Sequence, residues 1–287
     1  MSKVLTIMNM KGGVGKTTLS THLAGYLPRY GHAGKKLNVL VIDYDPQFNL
    51  SQAFLEPKKY FALEKNKLTT ISILLDDMKD LNPFQIAVPG NQNPPEPSKL
   101  TTRIYKGPKG TLDLVPSTLD LMYVALGQAT QNTQPMEERF EKFIGKCREV
   151  YDLIVIDCHP AGSLFTKTSL SNSDAVLIPV VPKKYSVRGI GLMMDFINSK
   201  KIGATGPDPL ILFNMTPRFG TSSEEASIRT NRKYAAHCLT TTLKKYKAFE
   251  DPEGGKGFVW TSGKPYSSEA FSNLAALANE VSLRIKL

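Results

Sequence analysis

Cysteine is scarce in this chain of 287 residues. Cys147, Cys158 and Cys238 form an odd and widely spaced set. They make no CxxC pair, no zinc spacing and no disulfide framework, which points to a reducing, cytoplasmic setting. Long apolar runs are missing too. No stretch approaches the roughly 18 to 20 residues that cross a bilayer. The first apolar run, Val4–Met8, is too short for a signal peptide. Negative charge is in deficit. There are 26 Asp and Glu against 36 Lys and Arg, a net charge of +10. Such a balance suits a polyanionic partner, nucleic acid or an anionic membrane, and equally an unspecialised basic surface.

What is present is an ordinary globular composition, 41% hydrophobic and 22% charged. It suits one large domain over residues 1–287. Val4–Met8, Leu37–Ile42, Leu112–Val115, Leu153–Ile156, Ala175–Pro179 and Leu210–Phe213 read as buried strands. They are apolar throughout, as strands covered on both faces are. Helical spacing falls between most of them, over Thr17–Tyr30, Met136–Val150 and Val187–Asn198, and again over Ser267–Leu287. This alternation predicts an α/β fold, a mostly parallel twisted sheet with helices on both faces. Glu56–Gly110 interrupts the rhythm with a Pro/Asn-rich stretch and a polar run. It reads as an inserted excursion carrying a loop or hairpin.

The chemistry is concentrated after the first strand, in Lys11-Gly12-Gly13-Val14-Gly15-Lys16-Thr17-Thr18. A glycine-rich loop between a strand and a helix turns its N–H groups inward around phosphate oxygens, at the positive end of the helix. A plain glycine turn explains the glycines but not Gly-Lys-Thr-Thr in that context. Lys16 is placed to reach the β- and γ-phosphates and Thr17 to ligate Mg²⁺. The expected substrate is therefore ATP, with Mg²⁺.

One detail departs from the simple phosphate-loop pattern. Met10 stands where its first glycine falls, and Lys11 opens the loop instead. This spelling resembles the deviant Walker A of the ParA/MinD ATPases, and Asn9-Met10 before it resembles the ParA side. Val39–Ser51, with Asp43-Tyr44-Asp45-Pro46-Gln47, resembles the family's Asp-x-Asp-Pro-Gln segment. Tyr151–Gly162 resembles its Walker B and switch region, and Ser173–Gly191 its Pro-Val-x-Pro turn and following helix. The likeness covers the chain to about Asn214, apart from the excursion.

The resemblance implies a P-loop NTPase fold of the deviant Walker A type. It also implies roles for individual residues. Lys11, Lys16 and Asp45 are the catalytic set, with Asp45 orienting the attacking water. Gly12, Gly13, Val14, Gly15, Thr17 and Thr18 join the two lysines in holding ATP, and Asn214 stands where relatives read the adenine edge. Thr17, Asp43 and Asp157 attend the metal. Lys11 reaches across a homodimer in the family, although a lysine beside phosphates can also act in its own subunit. Some of these residues have plainer readings as well. Asp43 or Asp45 could cap a helix starting near Pro46, and Asn214 could be a turn residue before Pro217. His159, where relatives carry Pro, reads as a polar surface residue or a nucleotide sensor, and Cys158 as a small buried residue.

By resemblance, ATP hydrolysis is a timer for DNA partition. The ATP-bound dimer binds non-specific DNA at the nucleoid, and a ParB-like activator triggers release. Between Lys183 and Lys256 there are thirteen Lys/Arg and seven Asp/Glu. Arg218, Arg229, Arg232, Lys233, Lys244, Lys245 and Lys247 are the densest candidates for DNA contact, against the reading of a solvated helix face. The first strand opens the chain, so the short type without an N-terminal helix-turn-helix is expected. Two rivals share the fold. A MinD-like positioning ATPase needs a basic amphipathic tail, for which Val281–Leu287 is the candidate. A metabolic ATP-dependent ligase or kinase needs a small-molecule pocket, which the excursion could supply. An iron–sulfur protein is disfavoured, since the cysteines do not match that family's cluster ligands.

Overall fold

The computed structural model describes residues 1–76, 81, 89–126, 133–158, 164–199, 206–250 and 252–287. In chain order the elements are β1 (Lys3–Ile7), α1 (Lys16–Tyr30), β2 (Leu37–Tyr44), α2 (Asn49–Phe54), α3 (Pro57–Lys65), α4 (Ile71–Leu74), α5 (Pro97–Leu100), β3 (Thr102–Gly107) and β4 (Gly110–Val115). Then follow α6 (Leu121–Leu126), α7 (Gln134–Arg148), β5 (Leu153–Cys158), α8 (Leu164–Asn172), β6 (Ala175–Val180), α9 (Ser186–Ser199), β7 (Asp208–Thr216), α10 (Ser223–Thr230), β8 (Leu243–Lys244) and α11 (Ser267–Arg284).

The strands form one eight-stranded sheet in the order β3-β4-β2-β5-β1-β6-β7-β8. Every pairing is parallel except that of β3 with β4. From β1 the chain crosses to β2 on one side, and from β5 it crosses back over β1 to β6. The carboxyl ends of these central strands therefore border the crevice where open α/β sheets bind ligands.

Side chains alternate between the two faces. Leu40, Ile42, Ile154 and Ile156 join one core with Phe140 and Phe143 of α7, Phe165 of α8 and Met193 of α9. Val39, Val41, Leu153 and Val155 join the other with Leu19 and Leu23 of α1, Phe54 of α2 and Leu274 and Leu277 of α11. The same period of two has a chemical consequence. Asp43 continues the series Val39, Val41, and Asp157 continues Leu153, Val155. Both carboxylates thus lie on the α1 face, and they are register partners on adjacent strands.

The excursion is structured where it is described. It carries α3, α4 and α5, and it ends in the antiparallel hairpin β3–β4, which forms one sheet edge. Arg139 of α7 clasps it. The buried guanidinium donates to the carbonyls of Ser72 (3.0 Å), Ile73 (2.9 Å), Asn93 (2.9 Å) and Asn91. A cavity of about 520 Å³ lies there, lined by Leu68, Ser72, Asp76, Asn91 and Arg139 among others and by no residue of the phosphate loop.

Candidate nucleotide site

Gly15 ends the phosphate loop and caps α1 in a left-handed conformation, φ 82°. No side chain caps the helix, and its first turn holds no acid. Its N–H groups and positive dipole end are left for an anion. A Cβ on Gly15 would sit 2.6 Å from Asn214 Nδ2 and 2.9 Å from Met215 Cε. Only glycine meets both demands, a positive φ and a close neighbour.

Two asparagines hold the loop in place. Asn9 Nδ2 donates to the Pro179 carbonyl of β6 (2.7 Å), and its Oδ1 accepts the Lys11 N–H (2.9 Å). Asn214 Nδ2 donates to the Val14 carbonyl (2.7 Å), and its Oδ1 accepts the Met215 N–H (2.9 Å). Asn214 lies inside β7 rather than after the strand. In this geometry its amide props the loop instead of facing outward. The neighbouring Met215 has φ 54°, a strained value for a non-glycine residue beside a site. In the sequence Asn9 is marked only as part of the motif that precedes Lys11. Its double hydrogen bond is visible only once β1 and β6 are neighbours.

The charges follow the same plan. Lys16 is only 9% exposed, and its Nζ turns back to the Lys11 carbonyl at 3.5 Å. Lys11 itself is exposed at the mouth of the loop. Asp157 is buried beneath them. Its Oδ1 accepts from the Ser20 hydroxyl (2.8 Å), while Oδ2 is buried with no hydrogen-bond partner. Burial pushes the Asp157 carboxyl up to about 6, against the opposing pull of the Ser20 and Thr17 hydroxyls and of Lys16. Asp43 is raised well above the carboxylate range, first by burial and then by the Asp157 charge.

Asp43 is engaged within the chain. Its Oδ2 accepts from both the backbone N–H (2.8 Å) and the hydroxyl (2.6 Å) of Ser51. Ser51 Oγ in turn accepts the Ser117 N–H (2.9 Å), and Ser117 Oγ donates to the Asp45 carbonyl (2.6 Å). Asp45 is half-buried, and its Oδ1 accepts the Gln47 N–H at 2.9 Å. The helix expected near Pro46 starts at Asn49, because Asp45 closes a turn on Gln47 first. The capping role falls to Asp43, which takes a first-turn N–H of α2 from the strand below rather than from the position before the helix. No sequence motif marks Ser20, Ser51 or Ser117. They become partners only through the sheet order.

These donors suit Mg²⁺, a hard cation that takes oxygen ligands and retains water. The orphaned Asp157 Oδ2 and the half-buried Thr17 beside it are the residues that would hold it, with Asp43 behind. Among the described residues no group of three or more His, Cys, Asp or Glu could hold a metal alone.

The remaining candidates separate. Arg218, Lys245 and Lys247 meet around a cavity of about 310 Å³ with Tyr246 and Tyr266, the Arg218 guanidinium 4.0 Å over the Tyr266 ring. Arg232 and Lys233 are exposed after α10, and Lys244 is half-buried in β8. Arg229 is turned inward, paired with Glu225 at 2.9 Å and donating to the Leu239 carbonyl. Lys244 sits in the short strand β8, Lys245 just after it and Lys247 at the start of a single 3-10 turn, Lys247–Phe249. Cys158 is buried, and its thiol is pushed up to about 12. His159 lies outside the described residues.

Comparison with known proteins agrees with this geometry. The model of a family described as an AAA domain matches residues 2–203. A protein of Methanocaldococcus jannaschii is 31% identical over 95% of this chain and 96% of its own. The chromosome-partitioning ATPase Soj of Treponema pallidum is 28% identical over 71% of this chain and 66% of its own. The solved plasmid partition protein of Borrelia burgdorferi B31 bound to AMPPNP is 22% identical, with a TM-score of 0.67 over 96% of this chain and 98% of that one. The phosphate loop opened by Lys11, the paired strand-end aspartates and these relatives together place the chain in the ParA family of partition ATPases.

Proposed function

We propose that this chain is an ATP-driven DNA partition switch. The observation that carries the reading is the uncapped α1 N-terminus above a buried Asp157 with one unpartnered oxygen. That pairing leaves an anion site and a cation site side by side, the arrangement that phosphoryl transfer to water requires.

In this reading the loop amides and Lys16 hold the ATP phosphates. Thr17 and Asp157 hold Mg²⁺, which when bound neutralises phosphate charge. Asp45, fixed through Ser117 and Gln47, orients the attacking water. The exposed Lys11 extends to the phosphates of a second subunit, so that two ATP molecules lie between two copies. The dimer binds DNA without sequence preference through Arg218, Lys245 and Lys247, with Arg232, Lys233 and Lys244 adding charge. A ParB-like partner accelerates a slow intrinsic hydrolysis, and DNA is released. Such binding is electrostatic and weakens steeply with salt. A membrane role has less support. No helix among the described residues is long and apolar enough to cross a bilayer. The apolar side of α11, Leu274, Leu277, Val281 and then Ile285, is buried in the core rather than presented to lipid.

The test is retention of non-specific DNA at low salt with ATP. Wild-type protein retains it, and Lys16→Ala loses at least about a hundredfold in nucleotide affinity and fails to retain DNA. Asp45→Ala keeps both binding steps and loses phosphate release. Wild-type protein that hydrolyses ATP yet never retains DNA would end the partition reading and leave the ATPase reading standing.

A further inference from the structure

We propose that the cavity in the excursion is an effector site for a small organic anion with an apolar body, and that its occupant acts on ATP turnover through α4. The site goes beyond the proposed function and shares no residue with the phosphate loop. Its effect on turnover rests on the ATPase reading. Its binding of the anion does not.

Arg139 is 1% exposed, yet among the described residues no carboxylate pairs with it. Its partners are backbone carbonyls, those of Ser72, Ile73, Asn91 and Asn93. A guanidinium has five N–H groups. These carbonyls engage Nε, both Nη1 hydrogens and one on Nη2. One Nη2 N–H is left over, on a side chain that lines the cavity. Asp76 lines it too, but its oxygens accept the N–H groups of Gly90 (3.1 Å) and Asn91 (2.6 Å). A cation buried without an opposite charge is unfavourable, and a bound anion relieves it.

The rest of the lining selects the ligand. Leu68, Leu75, Leu100, Pro94 and Pro95 make part of the wall apolar. Lys67 and Lys99 are exposed beside it, and among the described residues neither ammonium has an ion pair or a hydrogen bond. Glu96, the other acid there, is already paired with Lys146 at 2.6 Å. Three cations without a carboxylate partner thus border apolar walls. The volume, about 520 Å³, is that of a small-molecule site. An inorganic anion would leave the leucines and prolines unmatched, and so would the sugar and phosphates of a nucleotide. Occupancy is transmitted by α4. Arg139 holds the Ser72 and Ile73 carbonyls of that helix. Thr70, just before it, donates its hydroxyl to the Asp43 carbonyl at 2.7 Å. An anion that draws the guanidinium toward itself therefore shifts α4, and with it the end of β2 that carries Asp43.

The test uses anilinonaphthalene sulfonate, an aromatic body with one anionic group, titrated into the full chain and read by fluorescence. Wild-type protein should bind it at a saturable site from which ATP with Mg²⁺ does not displace it. The double variant Lys67→Glu/Lys99→Glu should bind it at least about tenfold more weakly. Lys67→Arg/Lys99→Arg should bind as wild type does, which ties the loss to charge rather than to misfolding. N-phenylnaphthylamine, the same body without the sulfonate, should bind at least about tenfold more weakly. At saturating probe, ATP turnover by wild-type protein should change at least about twofold, and the charge-reversed variant should not respond. No saturable binding, displacement by ATP, equal binding of the uncharged body, a charge reversal without effect, or an unchanged turnover each overturn the inference. A chain that binds the probe as described yet never turns over ATP ends the ATPase reading, and with it the effector role, while the anion site stands.

Discussion

The two ends of α1 are built on opposite rules. At its N-terminus the helix is uncapped, Lys16 folds back at 3.5 Å for want of a partner, and Asp157 Oδ2 is buried without one. At its C-terminus, Arg29 donates to the Gly25 carbonyl at 2.7 Å. Its guanidinium lies 4.0 Å over the Tyr105 ring and 4.8 Å over Trp260. Trp260 stacks on Phe258 at 4.8 Å, and His22 meets Phe249, Phe258 and Trp260 edge-on. Both ends carry charge. One end pairs its arginine within the chain and adds stability, although His22 Nδ1 beside it is buried without a partner. The other leaves its helix N–H groups uncapped, holds a strained backbone at Met215, and binds. Within one helix, an uncapped N-terminus over an open carboxylate oxygen separates the functional end from the structural one.

Three substitutions test that contrast. Trp260→Ala should have the largest effect on stability, about 3–5 kcal/mol, because it empties the space over Gly25. Nucleotide affinity, measured by titration of the folded variant, should stay at the wild-type value. A variant of normal stability would break the contrast at its structural end.

His22 gives the next effect, and it depends on pH. Burial lowers its imidazole from the ordinary 6.5 to about 4. A folded-state value below the unfolded one means that its neutral form stabilises fully above pH 6.5. That contribution is lost as pH falls toward 4, up to about 3 kcal/mol. Denaturant melts of wild type between pH 7 and pH 4 should show this loss, and His22→Met should flatten it. An unchanged acid limb in the variant would assign the loss elsewhere.

Gly15→Ala should cost least in stability, about 1–2 kcal/mol for a side chain at φ 82° crowded by Asn214. Its effect on ATP affinity should nevertheless be near total, since the added Cβ displaces the asparagine that props the loop. A variant that melts normally and still binds ATP would show that the Asn214–Val14 contact is dispensable.

Much of the architecture is legible from local pattern. The six expected strands appear as β1, β2, β4, β5, β6 and β7, most lengthened by a residue or two at an end. The helix expected over Met136–Val150 is shifted to Gln134–Arg148, because Pro135 fits the first turn of a helix. The edge strand β3 could not be seen. Its residues are half-exposed and bulged at Arg103 and Tyr105, so neither a continuous apolar run nor clean alternation marks them. Within the site, Gly15, Lys16 and Thr17 are legible because their chemistry is bound to consecutive positions. Asn9, Ser20, Ser51 and Ser117 are not, because each acts on a residue distant in the chain or on another element.

The chain itself determined the phosphate loop, the strand-end aspartates and the alternation of strand and helix. Each of these depends on spacing within a dozen residues, where backbone geometry alone fixes which groups lie together. Only the tertiary structure decided how these groups are used. Strand order set Asp43 beside Asp157, gave Asp43 to Ser51, and left Asp157 with an open oxygen. It turned Asn214 onto the loop and Arg229 onto Glu225. Those outcomes depend on which elements become neighbours, and packing of the whole sheet determines that.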